Sequence, residues 1–187
     1  MEIEDAIYYR RAVRDYTDGA VEPAKIEKLL DAAVQAPSAM NQQPWAFGVF
    51  CGQERLRGYS ERAKAHLLAT LDPTFDVHPR SQLYADPDYK TFYNAGTLIV
   101  IYATHGRHHP EEDCCLAAQN LMLAACGLGL GTCPIGFARS WLNLPEIKRE
   151  LDIPSDHTAV FPLVVGYPAK KPDPVPRREP VILTWLA

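Results

Sequence analysis

TLIVIY, residues 97–102, contains no charged side chain and is dominated by β-branched and large apolar residues. A strand with one face in water alternates apolar and polar positions, so an unbroken run predicts a strand covered on both faces. The flanking sequence supplies the covers. Upstream, residues 53–71 place Leu56, Tyr59, Ala63 and Leu67 on one helical stripe. Downstream, residues 111–128 form a helix that is apolar nearly all round and must be buried on every side, by its own core or by a second subunit. Gly127, Gly129 and Gly131 end it. Farther out, residues 3–10 read as a short helix with Ile3, Ala6 and Ile7 on one face. Pro23 opens a helix carrying Ile26, Leu29, Leu30, Ala33 and Val34, which Pro37 closes. Residues 45–51 alternate as a strand and Gly52 stops it. Residues 132–137 are a short strand or turn, 144–151 a helix closed by Pro154, and 159–167 a strand. Helices alternate with few strands, which gives an α/β or α+β class.

Two segments stand outside this pattern. Residues 72–92 hold Pro73, Pro79 and Pro87 among many aromatics. An irregular stretch of that length in a compact domain predicts a functional loop such as a lid. Residues 168–180 are proline-rich and lead into the strand-like VILTWL at the chain end. An extended arm is seldom stable alone, which predicts packing on a partner subunit.

The chain has 187 residues, 47% of them apolar and 22% charged. That predicts one soluble globular domain over residues 1–187. A net charge of −4 with basic residues dispersed among acids disfavours a nucleic-acid partner. No basic-then-apolar leader is visible. The most apolar segment, 114–131, is too short and too rich in Gly, Asn and Gln to span a bilayer. The expectation is a cytoplasmic protein with no membrane partner. Five cysteines, two of them adjacent at Cys114 and Cys115, suit neither a disulfide framework nor a zinc knuckle and read as packing thiols.

Arg10, Arg11 and Arg14 crowd the end of the first helix, and Arg177 and Arg178 follow a Gly-Tyr-Pro turn near the other end. Cations favour helix C-termini, but guanidinium forks also match phosphate oxygens. APSAMNQQPW, residues 36–45, gathers Ser38, Asn41, Gln42 and Gln43 between two prolines with no acid, histidine or lysine. Amides carry both a donor and an acceptor and suit the mixed edge of a flat heterocycle, or they are incidental to a helix-to-strand turn. The glycine series is no dinucleotide fingerprint, because a helix precedes it and a strand-like segment follows. His105, His108 and His109 with Glu111, Glu112 and Asp113 read as a solvated loop, and no metal site is assigned. No nucleophile elbow, phosphate-binding lysine loop or paired catalytic carboxylates appear.

Four motifs in order, RRAVRDY, APSAMNQQPW, GLGLGTCPIGF and GYPAKKPDPVPRR, give a sequence that resembles the flavin-dependent nitroreductase family over essentially its whole length. The resemblance implies an α+β fold with a central, mostly antiparallel sheet flanked by helices. It also implies an intertwined homodimer with two flavin mononucleotide (FMN) sites at the interface, the arm 172–187 packing on the partner. Arg10, Arg11 and Arg14 match the basic motif that contacts the phosphate and ribityl chain, and Arg177 and Arg178 the pair that completes it. Pro37, Ser38, Ala39, Met40, Asn41 and Gln43 match the loop that packs on the flavin from the other subunit. Pro134, Ile135 and Gly136 match the segment on the flavin ring. Ile135 stands where many members carry an acid, and Ala12 where serine is usual.

The implied activity is reduction of electron-poor small molecules, nitroaromatics or quinones, by ping-pong hydride transfer from NADH or NADPH. No protein acid or base is assigned, because the cofactor carries the redox chemistry. Tyr84, Tyr89, Phe92 and Tyr93 are expected to cap the substrate by stacking, if they are not core. The rival expectations are a redox-sensing flavin module with little turnover, a flavin-free structural dimer, and a specialised dehalogenase, dehydrogenase or flavin-fragmenting enzyme.

Overall fold

A computed structural model of the chain describes residues 1–70, 86, 88–104 and 108–186. Its elements are α1 (Ile3–Tyr9), α2 (Pro23–Ala33), β1 (Trp45–Cys51), α3 (Gln53–Thr70), β2 (Thr97–Ala103), α4 (Pro110–Gly127), β3 (Gly131–Pro134), α5 (Ala138–Leu142), α6 (Pro145–Glu150) and β4 (Thr158–Gly166). The strands form one antiparallel sheet in the order β1-β2-β4-β3. Helices cover both of its faces, the α+β arrangement that the resemblance implies.

The run TLIVIY lies in the second strand of that sheet, and every residue of β2 is buried. Its side chains divide by the two-residue period of a strand. Ile99, Ile101 and Ala103 enter a core with Leu29 of α2 and Ala117, Ala118, Leu121 and Ala125 of α4. Leu98, Val100 and Tyr102 enter a second core with Leu56 and Ala63 of α3, Trp141 and Leu142 of α5, and Ile147 of α6. An antiparallel strand normally leaves one face wet; here both faces are sealed, which is why no alternation shows. Each fully buried aliphatic side chain contributes about 1.5–3 kcal/mol.

Several expectations need correction. The stripe Ile3, Ala6, Ile7 is not a core face of this chain: Ala6 is buried, but Ile3 and Ile7 are 66% and 53% exposed. The helix α4 is not covered on every side by its own chain: Cys115, Leu116 and Gln119 are exposed along one face. The five cysteines are not all packing thiols, since Cys51 and Cys115 are exposed and only Cys114 and Cys133 are buried. The helix α5 has no periodic signature in its five residues and was not anticipated. Most of the predicted lid, residues 72–85 and 87, lies outside the described residues, as do residue 71 of the predicted helix before it and residues 105–107 of the histidine loop. From Pro172 onward the described arm is extended and joins no strand, and Leu183, Trp185 and Leu186 are 79–93% exposed.

The buried Cys114 gives a test of the α4 core. Burial is the main reason its thiol is pushed up to about 12, from an ordinary 9. The unfolded chain therefore releases this proton at lower pH than the folded one. This contribution to stability is complete below pH 9 and declines as pH rises towards 12. Cys114 should resist a thiol reagent until the protein unfolds, and a Cys114→Ser variant should lose part of the alkaline fall in the unfolding midpoint. Rapid labelling of Cys114 in the native protein would contradict its burial.

Candidate functional site

The helix α1 stops at Tyr9, and the following residues turn back along β3. Arg11 caps the helix: its Nη1 donates to the Tyr8 carbonyl at 2.6 Å and to the Arg10 carbonyl at 2.8 Å. Ala12 forms a parallel bridge with Thr132, and the Val13 amide donates to the Thr132 carbonyl at 2.9 Å. The contact is close because Gly131 has no side chain; a Cβ there would lie 2.6 Å from Val13 Cγ2. Tyr16 is buried and its hydroxyl donates to the Val13 carbonyl at 2.7 Å. Burial pushes this phenol well above its ordinary range, so it stays a donor. Asn94 clasps the same segment, its Nδ2 donating to the Tyr16 carbonyl at 3.0 Å.

This scaffold fixes two groups of cations. Arg10 and Arg11 line a cleft of about 760 Å³ together with Thr132, Lys170 and Lys171. Arg11 Nε is buried there without a hydrogen-bond partner among the described residues. Arg14 emerges separately, exposed, with its guanidinium 6.0 Å from the Tyr93 ring centroid. Arg177 and Arg178 lie farther along the exposed arm, beyond the cleft lining. Lys170 and Lys171 were not anticipated; their signal was the paired lysine in the same basic tail.

The parallel bridge runs Arg14 towards the end of β3, where Pro134, Ile135 and Gly136 follow. The Ile135 amide donates to the Pro162 carbonyl at 2.8 Å, and its side chain is fully buried. Ile135 thus fixes the turn from within, and only its neighbours on either side reach the surface. Pro134 and Gly136 are exposed, and a Cβ on Gly136 would meet nothing within 4 Å.

The expected aromatic cap is only partly placed here. Tyr89 and Tyr93 pair edge to face at 6.0 Å, hydroxyls 3.0 Å apart, beside Arg14. Phe92 is 1% exposed and packs in the core, so its ring has no open face for a substrate. Tyr84 lies outside the described residues.

The amide-rich loop leaves α2 and enters β1. Pro37, Met40, Asn41 and Gln43 are exposed, and Ser38 and Ala39 are half-buried. Met40, Asn41 and Gln43 all have positive φ, at 53°, 54° and 48°. The Gln43 amide donates to Ser38 Oγ at 2.9 Å, and Gln43 Nε2 donates to Asn41 Oδ1 at 3.0 Å. The Ala39 amide donates to the buried Asp113 carboxylate.

These two groups do not meet within one chain. The loop adjoins edge strand β1, and the arginine segment adjoins the opposite edge strand β3, with β2 and β4 between them. Three strand spacings put the edges about 14 Å apart. The chain thus presents two half-sites: cations beside the exposed Pro134 and Gly136, and a set of neutral amides. Neither holds a nucleophile paired with a base. Among the described residues no group of three potential metal ligands comes together, and no helix is long and apolar enough to cross a membrane.

Comparison with known proteins places the chain's sequence and fold. The model of the "Nitroreductase family" matches residues 7–167. A Methanothermobacter thermautotrophicus protein, named provisionally as an NADH dehydrogenase/NAD(P)H nitroreductase, is 32% identical over 92% of this chain and 80% of its own length. The chloronitrobenzene nitroreductase of Comamonas testosteroni is 28% identical over 88% of this chain and 86% of its own. The crystal structure of a Bacteroides fragilis nitroreductase with bound FMN superposes with a TM-score of 0.80 at 26% identity, covering 100% of this chain and 98% of that one.

Proposed function

Because the chain belongs to the nitroreductase family, we propose that it is an FMN-dependent oxidoreductase reducing nitroaromatics, quinones or similar electron-poor molecules at the expense of NADH or NADPH. The observation that carries this reading is the separation of the two half-sites on opposite sheet edges. A second copy of the chain, turned about a two-fold axis, brings the amide loop of one subunit to the arginines of the other, and each interface then holds two equivalent sites. The uncovered apolar residues of α1 and the arm, Ile3, Ile7, Leu183, Trp185 and Leu186, are the surface this homodimer buries, with residues 172–187 reaching across.

The residues present fit the cofactor. Arg10 and Arg11, with Lys170 and Lys171 in the same cleft, take the phosphate, and the unpaired Arg11 Nε gains a partner there. Arg177 and Arg178 join it from the arm. The backbone of Pro134, Ile135 and Gly136 lies against the ring, where the absence of a Cβ on Gly136 allows close approach. Pro37, Ser38, Ala39, Met40, Asn41 and Gln43 of the partner loop face the ring edge and ribityl hydroxyls.

FMN, when bound, supplies the two-electron chemistry, accepting a hydride from the nicotinamide and passing it to the oxidant. The chain orients the ring and leaves one face open. Arg14 sets positive charge beside it, and Tyr89 and Tyr93 offer aromatic surface for a flat substrate. No side chain is required to move a proton.

Steady-state kinetics test this order of events. With NADH or NADPH varied at several fixed concentrations of a nitroaromatic, double-reciprocal plots should be parallel, the signature of two substrates that occupy one face in turn. Intersecting plots would demand a ternary complex and contradict a shared face.

A further inference from the structure

We propose that Asp113 is a positioning residue for the flavin site of the neighbouring subunit, holding the amide loop in shape without touching the cofactor. The inference rests on the composite site described above.

The backbone of the loop is one that proteins rarely adopt without glycine. Met40, Asn41 and Gln43 all sit in the left-handed region, with φ between 48° and 54°. Such a conformation persists only where its surroundings over-determine it. Most bonds that could do so are internal to the loop: the Asn41 amide to the Ser38 carbonyl at 3.0 Å, the Gln43 amide to Ser38 Oγ, and Gln43 Nε2 to Asn41 Oδ1. Among the described hydrogen bonds of residues 38–43, one alone reaches a distant part of the chain. The Ala39 amide donates to both Asp113 carboxylate oxygens, at 3.2 and 3.3 Å.

Asp113 is placed to anchor rather than to react. It is 4% exposed, in the first turn of α4, where the unpaired amides of the helix favour a negative charge. Its neighbours Glu111 and Glu112 on the same turn are exposed, so the burial singles out one acid of three. A carboxylate taken out of water is retained where its charge is used. Here it joins a helix seated across the sheet to a loop that, in the dimer, faces the partner. The side-chain amides of Asn41 and Gln43 can then be presented in one fixed geometry, and the ordering cost is met before the cofactor arrives.

The test is FMN titration of the purified full chain, followed by flavin fluorescence. Asp113→Ala should weaken FMN binding by about tenfold or more. Asp113→Asn keeps an acceptor oxygen and should restore most of the affinity. Ala39→Pro removes the donor and leaves the carboxylate in place. Ser38 is already extended (φ −141°, ψ 154°), as a residue before proline must be, and this variant should reproduce the loss. Differently tagged Asp113→Ala and Arg14→Ala subunits, co-expressed and purified as mixed dimers, should then recover one tight FMN per dimer, because one site combines an intact loop with an intact arginine. A residue needed only for the stability of its own subunit would give no such recovery. Wild-type affinity in both Asp113→Ala and Ala39→Pro would overturn the proposal, and so would mixed dimers without a tight site. Failure of the unaltered protein to bind FMN would overturn the composite site and this inference with it.

Discussion

Replacing Gly131 with valine should destabilise the protein by about 3 kcal/mol and weaken cofactor binding in the same variant. The reason is steric. A Cβ at this position would lie 2.6 Å from Val13 Cγ2, 2.8 Å from Val13 Cβ and 3.0 Å from Pro168 Cγ. None of these is the far end of a long flexible side chain. Val13 Cβ moves only with its backbone, and that backbone is the segment bridged to β3. Relief of the clash must therefore lengthen the 2.9 Å bond from Val13 to Thr132 and draw Arg10, Arg11 and Arg14 away from their positions. Urea unfolding would report the loss of stability, and FMN titration the loss of the site. Gly127 is the matched control. A Cβ there meets nothing within 4 Å and the residue is helical, so Gly127→Ala should be neutral or slightly stabilising. Equal stabilities for Gly131→Val and the unaltered chain would mean that the arginine segment does not pack on β3 as described.

Arg14→Ala should cost FMN binding about 1.5–3 kcal/mol, a roughly 10- to 150-fold weaker dissociation constant, while leaving the fold intact. Arg14 is exposed, and its hydrogen bond to the Ala12 carbonyl is long at 3.4 Å. Its other contact is with the Tyr93 side chain at the surface, so it contributes little to the apo structure and its remaining donors can meet an anionic or carbonyl oxygen. Arg14→Lys should fall between the two, because the charge remains but the planar fork is lost. Unchanged affinity in Arg14→Ala, with an unchanged unfolding midpoint, would remove Arg14 from the site.

Local chemistry made most of the fold legible. The bounds predicted for α2, β1 and α3 fall within a residue or a few of those observed, because prolines and Gly52 punctuate them. TLIVIY was legible as a doubly covered strand because burial on both faces leaves no polar position. What escaped depends on contacts between residues far apart in the chain. Phe92 and Tyr93 are adjacent aromatics with similar propensities, yet one lies in the core and the other beside Arg14. That choice follows from a turn with positive φ at Tyr93 and Asn94, which only tertiary contacts impose. Asp113 read as one acid in a solvated run, and only the phase of α4 against the sheet sets it apart from Glu111 and Glu112. Lys170 and Lys171 join Arg10 and Arg11 across more than 150 residues of chain, through the pairing of Ala12 with Thr132 and of Tyr16 with Pro168. The amide loop was legible as a motif. Its distance from the arginines was not, because that distance is a matter of strand order.

The most direct test is an absorbance spectrum of the purified protein, taken without oxygen before and after NADH or NADPH. A chain that forms two flavin sites per dimer should show bound-flavin bands after FMN is added and excess removed. Those bands should bleach with the nicotinamide and return when a nitroaromatic is supplied. Bands that do not survive removal of excess FMN, or that persist unchanged after both nicotinamides, would contradict it.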